Sequence, residues 1–142
     1  MKWPNDLFLD GGKLGGILTE VVSHQVLVGV GVNVDNTVPP GSSRLEGQEL
    51  AVVSNTVLAG ISEGLDLALA GGEDVAAAFS DVDMLRGRHV EVVMQSDSGS
   101  LESVVHGVGV GIDATGALLL RDFTSGEVRR APTGHVTRYG GS

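Results

Sequence analysis

The hydrophobic period of this 142-residue sequence changes twice along the chain. Between residues 6 and 34, β-branched and apolar residues form three short runs, separated by turn residues at Asp10-Gly11-Gly12 and Ser23-His24-Gln25. Between residues 50 and 69, apolar residues instead recur at steps of three and four, which is typical of an amphipathic helix. From about residue 88 the short alternating runs return. This pattern predicts an α+β fold, with strands first, helices in the middle and strands again at the end.

Four glycines interrupt the second and third apolar runs, which predict strands over residues 13–23 and 25–34. Gly29 and Gly31 are two residues apart, so they lie on one face of their strand. A strand glycine marks a bulge or a close approach to the backbone, and two on one face favour the close approach. Gly15-Gly16 leaves the second strand bare on both faces, which is compatible with either a β-bulge or a floor for a flat ligand.

The rest of the sequence predicts two helices followed by a small β-barrel. Gly71-Gly72 ends the first helix, and a second helix with an acidic first turn is predicted over residues 73–85. Arg86-Gly87-Arg88 is interpreted as a hinge, so two domains are expected, residues 1–85 and 86–142. The short strands predicted after residue 88 are typical of a small barrel. Such a barrel is expected to pack on the first part of the chain. They are predicted at residues 89–94, 104–112, 117–121 and 127–131, with one turn at 96–100.

The charge balance and the lack of cysteine exclude several classes of function. With 18 acidic and 9 basic residues the formal charge is −9, and no basic stripe is present, which argues against a nucleic-acid binder. Without cysteine the chain has no disulfide, thiolate metal site or cysteine nucleophile. The first residues are polar, and no apolar run is expected to reach membrane-spanning length. A cytoplasmic protein without membrane or nucleic-acid partners is therefore expected.

Lysine occurs only at positions 2 and 13. Lys2 precedes Trp3-Pro4, where the proline fixes a defined corner in which an ammonium group could hold a phosphate or carboxylate. A solvated terminal lysine is an equally good interpretation. Asn5 and Asp6 add an amide and a carboxylate that could orient their neighbours or bind a cation. Lys13 follows a hairpin turn and is interpreted as edge charge.

Other polar or glycine-rich positions give weaker indications. The Asn33 amide could contact the edge of a nucleobase or cap the following loop, and capping is the preferred interpretation. The four histidines show no metal-ligand spacing. The glycine-rich run at residues 107–111 looks like a phosphate loop, but its context is entirely β, so that interpretation is rejected.

The segment Lys2-Trp3-Pro4-Asn5-Asp6 resembles the lysine motif of biotin protein ligases, also called biotin–[acetyl-CoA-carboxylase] ligases. Two further segments follow in that family's order and spacing: Lys13-Leu14-Gly15-Gly16-Ile17-Leu18 and Gly29-Val30-Gly31-Val32-Asn33-Val34. The tail, from Leu85-Arg86-Gly87-Arg88 onwards, is similar to the family's C-terminal SH3-like barrel. The resemblance implies part of a class II synthetase-like catalytic domain, a mixed sheet with helices, followed by that barrel.

The resemblance also implies a two-step reaction with assigned residues. Biotin and ATP would give biotinyl-5′-adenylate, and the biotin would pass to a lysine of a biotin carboxyl carrier protein, an acetyl-CoA carboxylase subunit or similar protein. Lys2 corresponds to the catalytic lysine, which contacts biotin and the α-phosphate and offsets developing charge. Asn5 and Asp6 would hold the lysine corner, Mg²⁺ would accompany ATP, and no residue is assigned to a metal. The floor under biotin and the adenine contact are implied at Gly16, Gly29, Gly31 and Asn33.

Parts of the family pattern are missing from the 142 residues. A glycine- and arginine-rich loop that closes over the adenylate, the residues that grip the ureido group of biotin and about half of the central sheet lie upstream of the lysine motif in the family. The chain is therefore expected to be truncated, marginally folded and inactive by itself, with apolar faces and a strand edge exposed. A non-catalytic binding module and a relative of lipoate or octanoyl transferases stay open as alternatives, as does a homodimer.

Overall fold

The structure is a computed structural model that describes residues 1–94 and 103–141. Within these residues it contains two antiparallel sheets and two helices, so the predicted α+β organisation is confirmed. The first sheet has the strand order β1-β2-β3, and the second has the order β7-β6-β5-β4-β8. In chain order, the elements are β1 Asp6–Leu9, β2 Gly12–Val22, β3 Gln25–Val32, α1 Leu50–Ala70, α2 Gly72–Ser80, β4 His89–Met94, β5 Ser103–Ile112, β6 Leu118–Arg121, β7 Val128–Ala131 and β8 His135–Gly140.

The chain divides into two compact units, residues 1–63 and 64–142. The second unit begins well before residue 86, because Leu85 is fully buried in its core and α2 contacts β5. Gly72, at the start of α2, lies so close to the carbonyl oxygen of Ala114 that a side-chain carbon there would be only 2.0 Å from it. The expected division into domains 1–85 and 86–142 stays a prediction.

The first unit is built on a three-stranded antiparallel sheet with two tight turns. Asp10 and Gly11 have φ angles of 50° and 83° between β1 and β2, and Ser23 has a φ of 57° between β2 and β3. The pairing of β1 with β2 shifts by one residue at Leu14, which is a β-bulge. β3 ends at Val32, two residues earlier than predicted.

Few large apolar side chains of the first unit are buried. Trp3 and Val34 are 4% and 8% exposed, whereas the β2–β3 hairpin and the first half of α1 present their apolar side chains to solvent. β3 has no further strand beside it among the described residues. The predicted exposure of apolar faces and of a strand edge is therefore confirmed. The exposed side chains are Leu18, Val21, Val22, Val26, Leu27, Val28, Leu50, Val52 and Leu58.

Helix α1 is the one helix of the described residues that is long and apolar enough to be tested as a membrane span. Its 21 residues are sufficient, by length and composition alone, to cross a membrane. The expectation that no apolar run reaches that length is therefore wrong. A single helix of this kind is weak evidence for a membrane span, so the lack of a membrane partner stays a prediction.

The five-stranded sheet of the second unit, which corresponds to the predicted barrel and is called the barrel below, has a well-packed core. Leu85, Val92, Leu118 and Leu120 are fully buried in it. The glycines of β5 permit this packing, because a side-chain carbon on Gly107 would lie 2.6 Å from the Arg121 carbonyl oxygen. At Gly109 it would lie 2.3 Å from the Leu85 carbonyl oxygen. The glycine-rich run thus allows close contact between chain segments, in agreement with the rejection of a phosphate loop.

Two predictions in this region are corrected. Helix α2 ends at Ser80 rather than near residue 85, because Asp83 Oδ1 accepts a hydrogen bond from the Leu85 amide and Leu85 enters the core. The expected hinge is tied to β5: the Gly87 amide donates to the Gly109 carbonyl at 2.8 Å, and the Gly109 amide donates to the Arg88 carbonyl at 3.0 Å. Strand β8 had not been predicted, and the predicted turn at 96–100 lies outside the described residues.

Candidate functional site

The first five residues after Met1 form a closed corner. The Lys2 amide donates to the Asp6 carbonyl at 2.8 Å, and the Asp6 amide donates to the Lys2 carbonyl at 3.0 Å. Trp3, which lies between Lys2 and Asp6 in the sequence, is buried. The peptide bond between Trp3 and Pro4 is cis. The predicted corner at Trp3-Pro4 is therefore present, and it fixes Lys2 and Asp6 relative to each other.

Asn5 fastens this corner to the sheet. Its side-chain amide donates to the Ile17 carbonyl at 2.8 Å, and the Ile17 amide donates to the Asn5 carbonyl at 2.9 Å. Both bonds go to the same residue of β2, so they act as a clamp. The geometry matches the expectation that Asn5 holds the corner.

Asp6 lies between the two lysines. Its Oδ2 atom is 3.3 Å from Lys2 Nζ, and its Oδ1 atom is 2.5 Å from Lys13 Nζ. Partial burial acts to raise the pKa of Asp6, but hydrogen bonds and charge interactions with Lys13 and Lys2 outweigh it, so the pKa is lowered. Asp6 is therefore an ionised carboxylate that gathers two ammonium groups.

The bulge at Leu14 explains how Lys13 reaches this carboxylate. Asp6 pairs with Gly16 and Phe8 pairs with Lys13, with one extra residue on β2 between the two pairs. Opposed residues of an antiparallel pair share a face, so the extra residue returns Lys13 to the face of Asp6 and Gly16. The interpretation of Lys13 as edge charge missed this, although the bulge signature at Gly15-Gly16 could have suggested it.

The two lysines differ in accessibility. The Lys2 side chain is 16% exposed, and its Nζ atom lies 5.8 Å from the centroid of the Phe8 ring. The Lys13 side chain is 49% exposed. Lys13 therefore presents more of its surface to a ligand on this face, while Lys2 is largely enclosed.

Gly16, Gly29 and Gly31 form a bare strip on the same face. Gly16 pairs with Gly31, and Gly29 pairs with Leu18, the next residue of that face on β2. A side-chain carbon on Gly16 would lie 3.5 Å from the Asn5 carbonyl oxygen, 3.8 Å from Asp6 Oδ1 and 3.9 Å from Lys13 Cε. These are ordinary contact distances, as are 3.8 Å at Gly29 and 4.0 Å at Gly31. The described protein does not itself fill this strip.

Gly15 has a different role. A side-chain carbon there would lie 2.0 Å from the Gly31 carbonyl oxygen, a distance that no real contact reaches. Gly15 is thus required by the bulge, whereas Gly16 leaves room above the sheet. The β-bulge interpretation is confirmed by the register shift and by Gly15, whereas the floor for a flat ligand at Gly16 stays a prediction.

Asn33 caps the loop that follows β3. Its side-chain amide donates to the Ser43 carbonyl at 3.1 Å and approaches the Lys13 carbonyl at 3.5 Å, and its Oδ1 atom accepts from Asn36 at 3.2 Å. The preferred interpretation as a cap therefore agrees with the geometry. The implied contact of Asn33 with adenine stays a prediction.

Among residues 1–94 and 103–141, no group of three or more His, Cys, Asp or Glu side chains is arranged to hold a metal ion. The corner instead offers two ammonium groups and one carboxylate above a strip of glycine backbone, a local charge of +1. Such an arrangement can bind an anionic group of a flat ligand.

The comparisons with known proteins identify relatives of this corner and of the whole chain. Residues 1–33 match the biotin/lipoate A/B protein ligase family. The chain is 31% identical over 136 residues to the bifunctional ligase/repressor BirA of Escherichia coli, with 84% of this chain and 40% of that protein covered. It is 33% identical over 145 residues to the biotin–[acetyl-CoA-carboxylase] ligase of Paracoccus denitrificans, with 85% of this chain and 56% of that protein covered.

Solved structures show the same fold. A crystal structure of the biotin protein ligase from Aquifex aeolicus superposes with a TM-score of 0.79 and 22% identity, covering 100% of this chain and 64% of that one. The Aquifex enzyme in complex with biotin and ATP gives a TM-score of 0.75 at 21% identity, covering 100% and 62%. The chain thus spans between 40% and 64% of the length of these relatives. The predicted resemblance and the fold class that it implies are confirmed.

Proposed function

From this relationship to biotin protein ligases, we propose that the chain supplies the lysine corner and the glycine floor of such a ligase. In the first step a carboxylate oxygen of biotin attacks the α-phosphate of ATP, which forms biotinyl-5′-adenylate and releases pyrophosphate. In the second step a lysine amine of a biotin carboxyl carrier protein attacks the carbonyl carbon of the mixed anhydride, and AMP and a proton leave. The observation that supports the proposal most strongly is Asp6 holding two ammonium groups beside the Gly16–Gly31 pair.

The physical task of the corner is electrostatic. Two anionic groups, a carboxylate and a phosphate, must meet in the first step, and positive charge fixed at that place lowers the barrier. Lys2 and Lys13 provide this charge, and Asp6 keeps both ammonium groups in place before the ligand arrives. Lys2 is proposed to contact the reacting carboxylate and the α-phosphate, and the exposure of Lys13 and its position beside Gly16 favour a second contact from Lys13.

The flat part of the ligand would lie on the bare strip. Gly16, Gly29 and Gly31 leave the backbone accessible, so a ring system can lie on it at ordinary contact distance, beside the Asp6 and Lys13 side chains at Gly16. Burying the apolar surface of biotin there would add the hydrophobic contribution to binding. Asn33 would reach adenine only by exchanging one of its present loop contacts.

Biotin and ATP are the substrates of the proposed reaction, and Mg²⁺ is its proposed metal ion. Mg²⁺ in such reactions is held largely by substrate phosphates and water, which fits a corner without a metal-binding cluster of its own. We further propose a cytoplasmic location, where ATP and carrier proteins are available.

The 142-residue chain by itself is proposed to have little or no ligase activity. The first unit buries only Trp3 and Val34 among its large apolar side chains and exposes nine others, which leaves apolar surface around the floor open to water. The test incubates the purified chain with biotin, ATP, Mg²⁺ and a carrier domain. Robust biotinylation of the carrier would contradict this part of the proposal. Activity restored by adding the N-terminal part of a related ligase would support it and disfavour a purely non-catalytic module.

Ligand binding tests the site separately from turnover. A non-hydrolysable sulfamoyl analogue of biotinyl-adenylate is titrated into the chain by calorimetry. The variant Lys13→Met should bind about tenfold or more weakly, the effect of losing one charge-assisted hydrogen bond. Lys2→Met should also weaken binding, because Asp6 loses one of its partners. Arg121→Met, a charge removal in the barrel, is the control and should bind as the parent does. Equal binding by all four proteins would contradict the site.

A further inference from the structure

The charge of this chain is divided unevenly along its sequence. Residues 1–85 hold 12 acidic and 3 basic residues, which accounts for the whole formal charge of −9, and residues 86–142 hold 6 of each kind. Three of the four histidines also lie in the second segment. The net negative charge of the second unit, residues 64–142, thus comes from the five acidic residues that precede residue 86, and an acidic partner would be repelled less by residues 86–142.

A row of polar side chains crosses three strands on the outer face of the barrel sheet. Glu91 pairs with His106 on β5 and with Arg138 on β8, while Val90 and Val92 on either side of it point into the core. Opposed residues share a face, so the three polar side chains form a continuous row.

This row borders a groove of about 400 Å³ with an aromatic wall. Phe123 is 54% exposed and meets the His89 ring edge-on, with the ring centroids 4.6 Å apart. Tyr139 and Gly140 complete the rim at the end of β8. The groove thus combines an exposed apolar ring with charged groups, as peptide-docking surfaces do.

Arg138 supplies the positive charge of the groove. Arg129 and Arg130 pair with Asp122 and Asp113, at 3.0 and 2.6 Å, whereas no ion pair joins Arg138 to a carboxylate anywhere in residues 1–94 and 103–141. The Glu91 carboxylate, opposite Arg138 in register, accepts a hydrogen bond from the Thr137 hydroxyl and lies 3.7 Å from His106 Nδ1.

We propose that this groove docks an acidic segment of a partner polypeptide. A partner carboxylate pairs with Arg138, and an adjacent aromatic or aliphatic side chain packs against Phe123. The surface lies in the second unit and does not include the lysine corner, so the inference does not depend on the ligase proposal.

The test titrates two synthetic peptides, Glu-Glu-Phe-Glu-Glu and Lys-Lys-Phe-Lys-Lys, both acetylated and amidated, into the ¹⁵N-labelled 142-residue chain. The acidic peptide should shift the amide signals of His89 and Gly140, with an affinity that falls as salt is added. Arg138→Gln should weaken binding about threefold to fivefold, as expected for one exposed ion pair. Glu91→Gln should strengthen binding of the acidic peptide, because a repelling charge is removed. If Glu91 only held the structure of the groove together, its substitution would not strengthen binding.

Arg129→Gln removes the same charge on β7 and is the matched control that should bind like the parent. Phe123→Ala should weaken binding of Glu-Glu-Phe-Glu-Glu but not of Glu-Glu-Ala-Glu-Glu. Equal shifts with the lysine peptide, unchanged affinity in Arg138→Gln, or shifts confined to β2, β3 and α1 would overturn the proposal. Association with anionic lipid vesicles in the absence of peptide binding would overturn it as well.

Discussion

Asp6 is the residue on which the candidate site depends most. It is 18% exposed, and the partial loss of hydration that favours its neutral form is outweighed by two neighbouring cations. These cations are Lys2, which lies within the corner, and Lys13, which lies on β2. A single side chain therefore joins the corner to the sheet electrostatically.

The lowered pKa of Asp6 makes the stability of the corner depend on pH. A carboxyl group whose pKa is lower in the folded state stabilises that state above its unfolded pKa of about 3.9. The contribution is lost as the pH falls through the lowered folded pKa. Asp6→Asn lacks this contribution, so the stability difference between the parent and the variant should be full at pH 6 and shrink below pH 4. Trp3, the only tryptophan, reports urea unfolding of the corner by its fluorescence. A difference that stays constant down to pH 2 would contradict the assignment.

Lys13 should influence Asp6 more than Lys2 does. Its hydrogen bond to Asp6 is the shorter one and the larger of the two lysine contributions that lower the pKa. Lys13→Met is therefore expected to raise the Asp6 pKa further than Lys2→Met, and Lys13→Arg should largely preserve it. Carboxyl ¹³C chemical shifts across a pH titration measure all three variants. A larger rise of the Asp6 pKa in Lys2→Met than in Lys13→Met would show that Lys2, within the corner, lowers this pKa more than Lys13 does.

At the scale of elements, the bulge in β2 determines which groups share a face. Without the extra residue at Leu14, the alternation of β2 would place Lys13 on the face opposite Asp6 and Gly16. The bulge requires Gly15, because the Gly31 carbonyl occupies the position of any side chain there. Gly16, one residue further on, has no such requirement.

The two glycines therefore give a matched pair of variants. Gly15→Ala should lower the free energy of unfolding by about 1–3 kcal/mol, as overpacking does. Gly16→Ala meets only ordinary contacts, so it should leave stability nearly unchanged while weakening binding of the adenylate analogue. Trp3 fluorescence and calorimetry separate the two effects. The expectation fails if Gly16→Ala unfolds the corner or if Gly15→Ala is as stable as the parent.

Leu85 decides where the second helix ends. Its side chain is fully buried in the barrel, so the chain must leave the helical path after Ser80 to deliver it. Leu85→Ala should cost about 2–5 kcal/mol of stability, as large-to-small core substitutions do. Leu69→Ala, at a position 86% exposed, is the control and should change stability by less than about 0.5 kcal/mol. Thermal unfolding followed by circular dichroism compares the two variants. Similar losses of stability in both would contradict the burial of Leu85 in the core.

At the scale of the molecule, the two units differ in how completely they bury their apolar side chains. The barrel encloses a set of aliphatic side chains, whereas β2, β3 and the start of α1 leave theirs in contact with water. Contiguous exposed apolar surface favours association. The acidic charge of residues 1–85 opposes association through repulsion.

The chain is therefore expected to self-associate as salt screens this repulsion. The double variant Val21→Lys and Leu27→Lys replaces one exposed side chain on each face of the hairpin and should reduce self-association in light scattering. The melting temperature of the barrel should not change, since both positions lie in the other unit. Unaltered association in the double variant would mean that another surface is responsible.

Local chemistry in the sequence determined most elements of this protein. The strands of the first unit, the start of both helices and four of the barrel strands follow from residue periodicity, glycine turns and proline, because these act over a few neighbouring residues. The corner at Trp3-Pro4 and the capping by Asn33 were predictable for the same reason.

Only the tertiary structure decided which distant residues meet. The bulge brings Lys13 to Asp6, the burial of Leu85 shortens α2, and β8 forms because β4 offers it an edge. Each of these depends on the register or packing between segments that are far apart in sequence, which the periodicity of one segment does not contain. The sequence thus determined the elements and the bare strip of Gly16, Gly29 and Gly31, and the packing of strands determined that two lysines, rather than one, lie beside this strip.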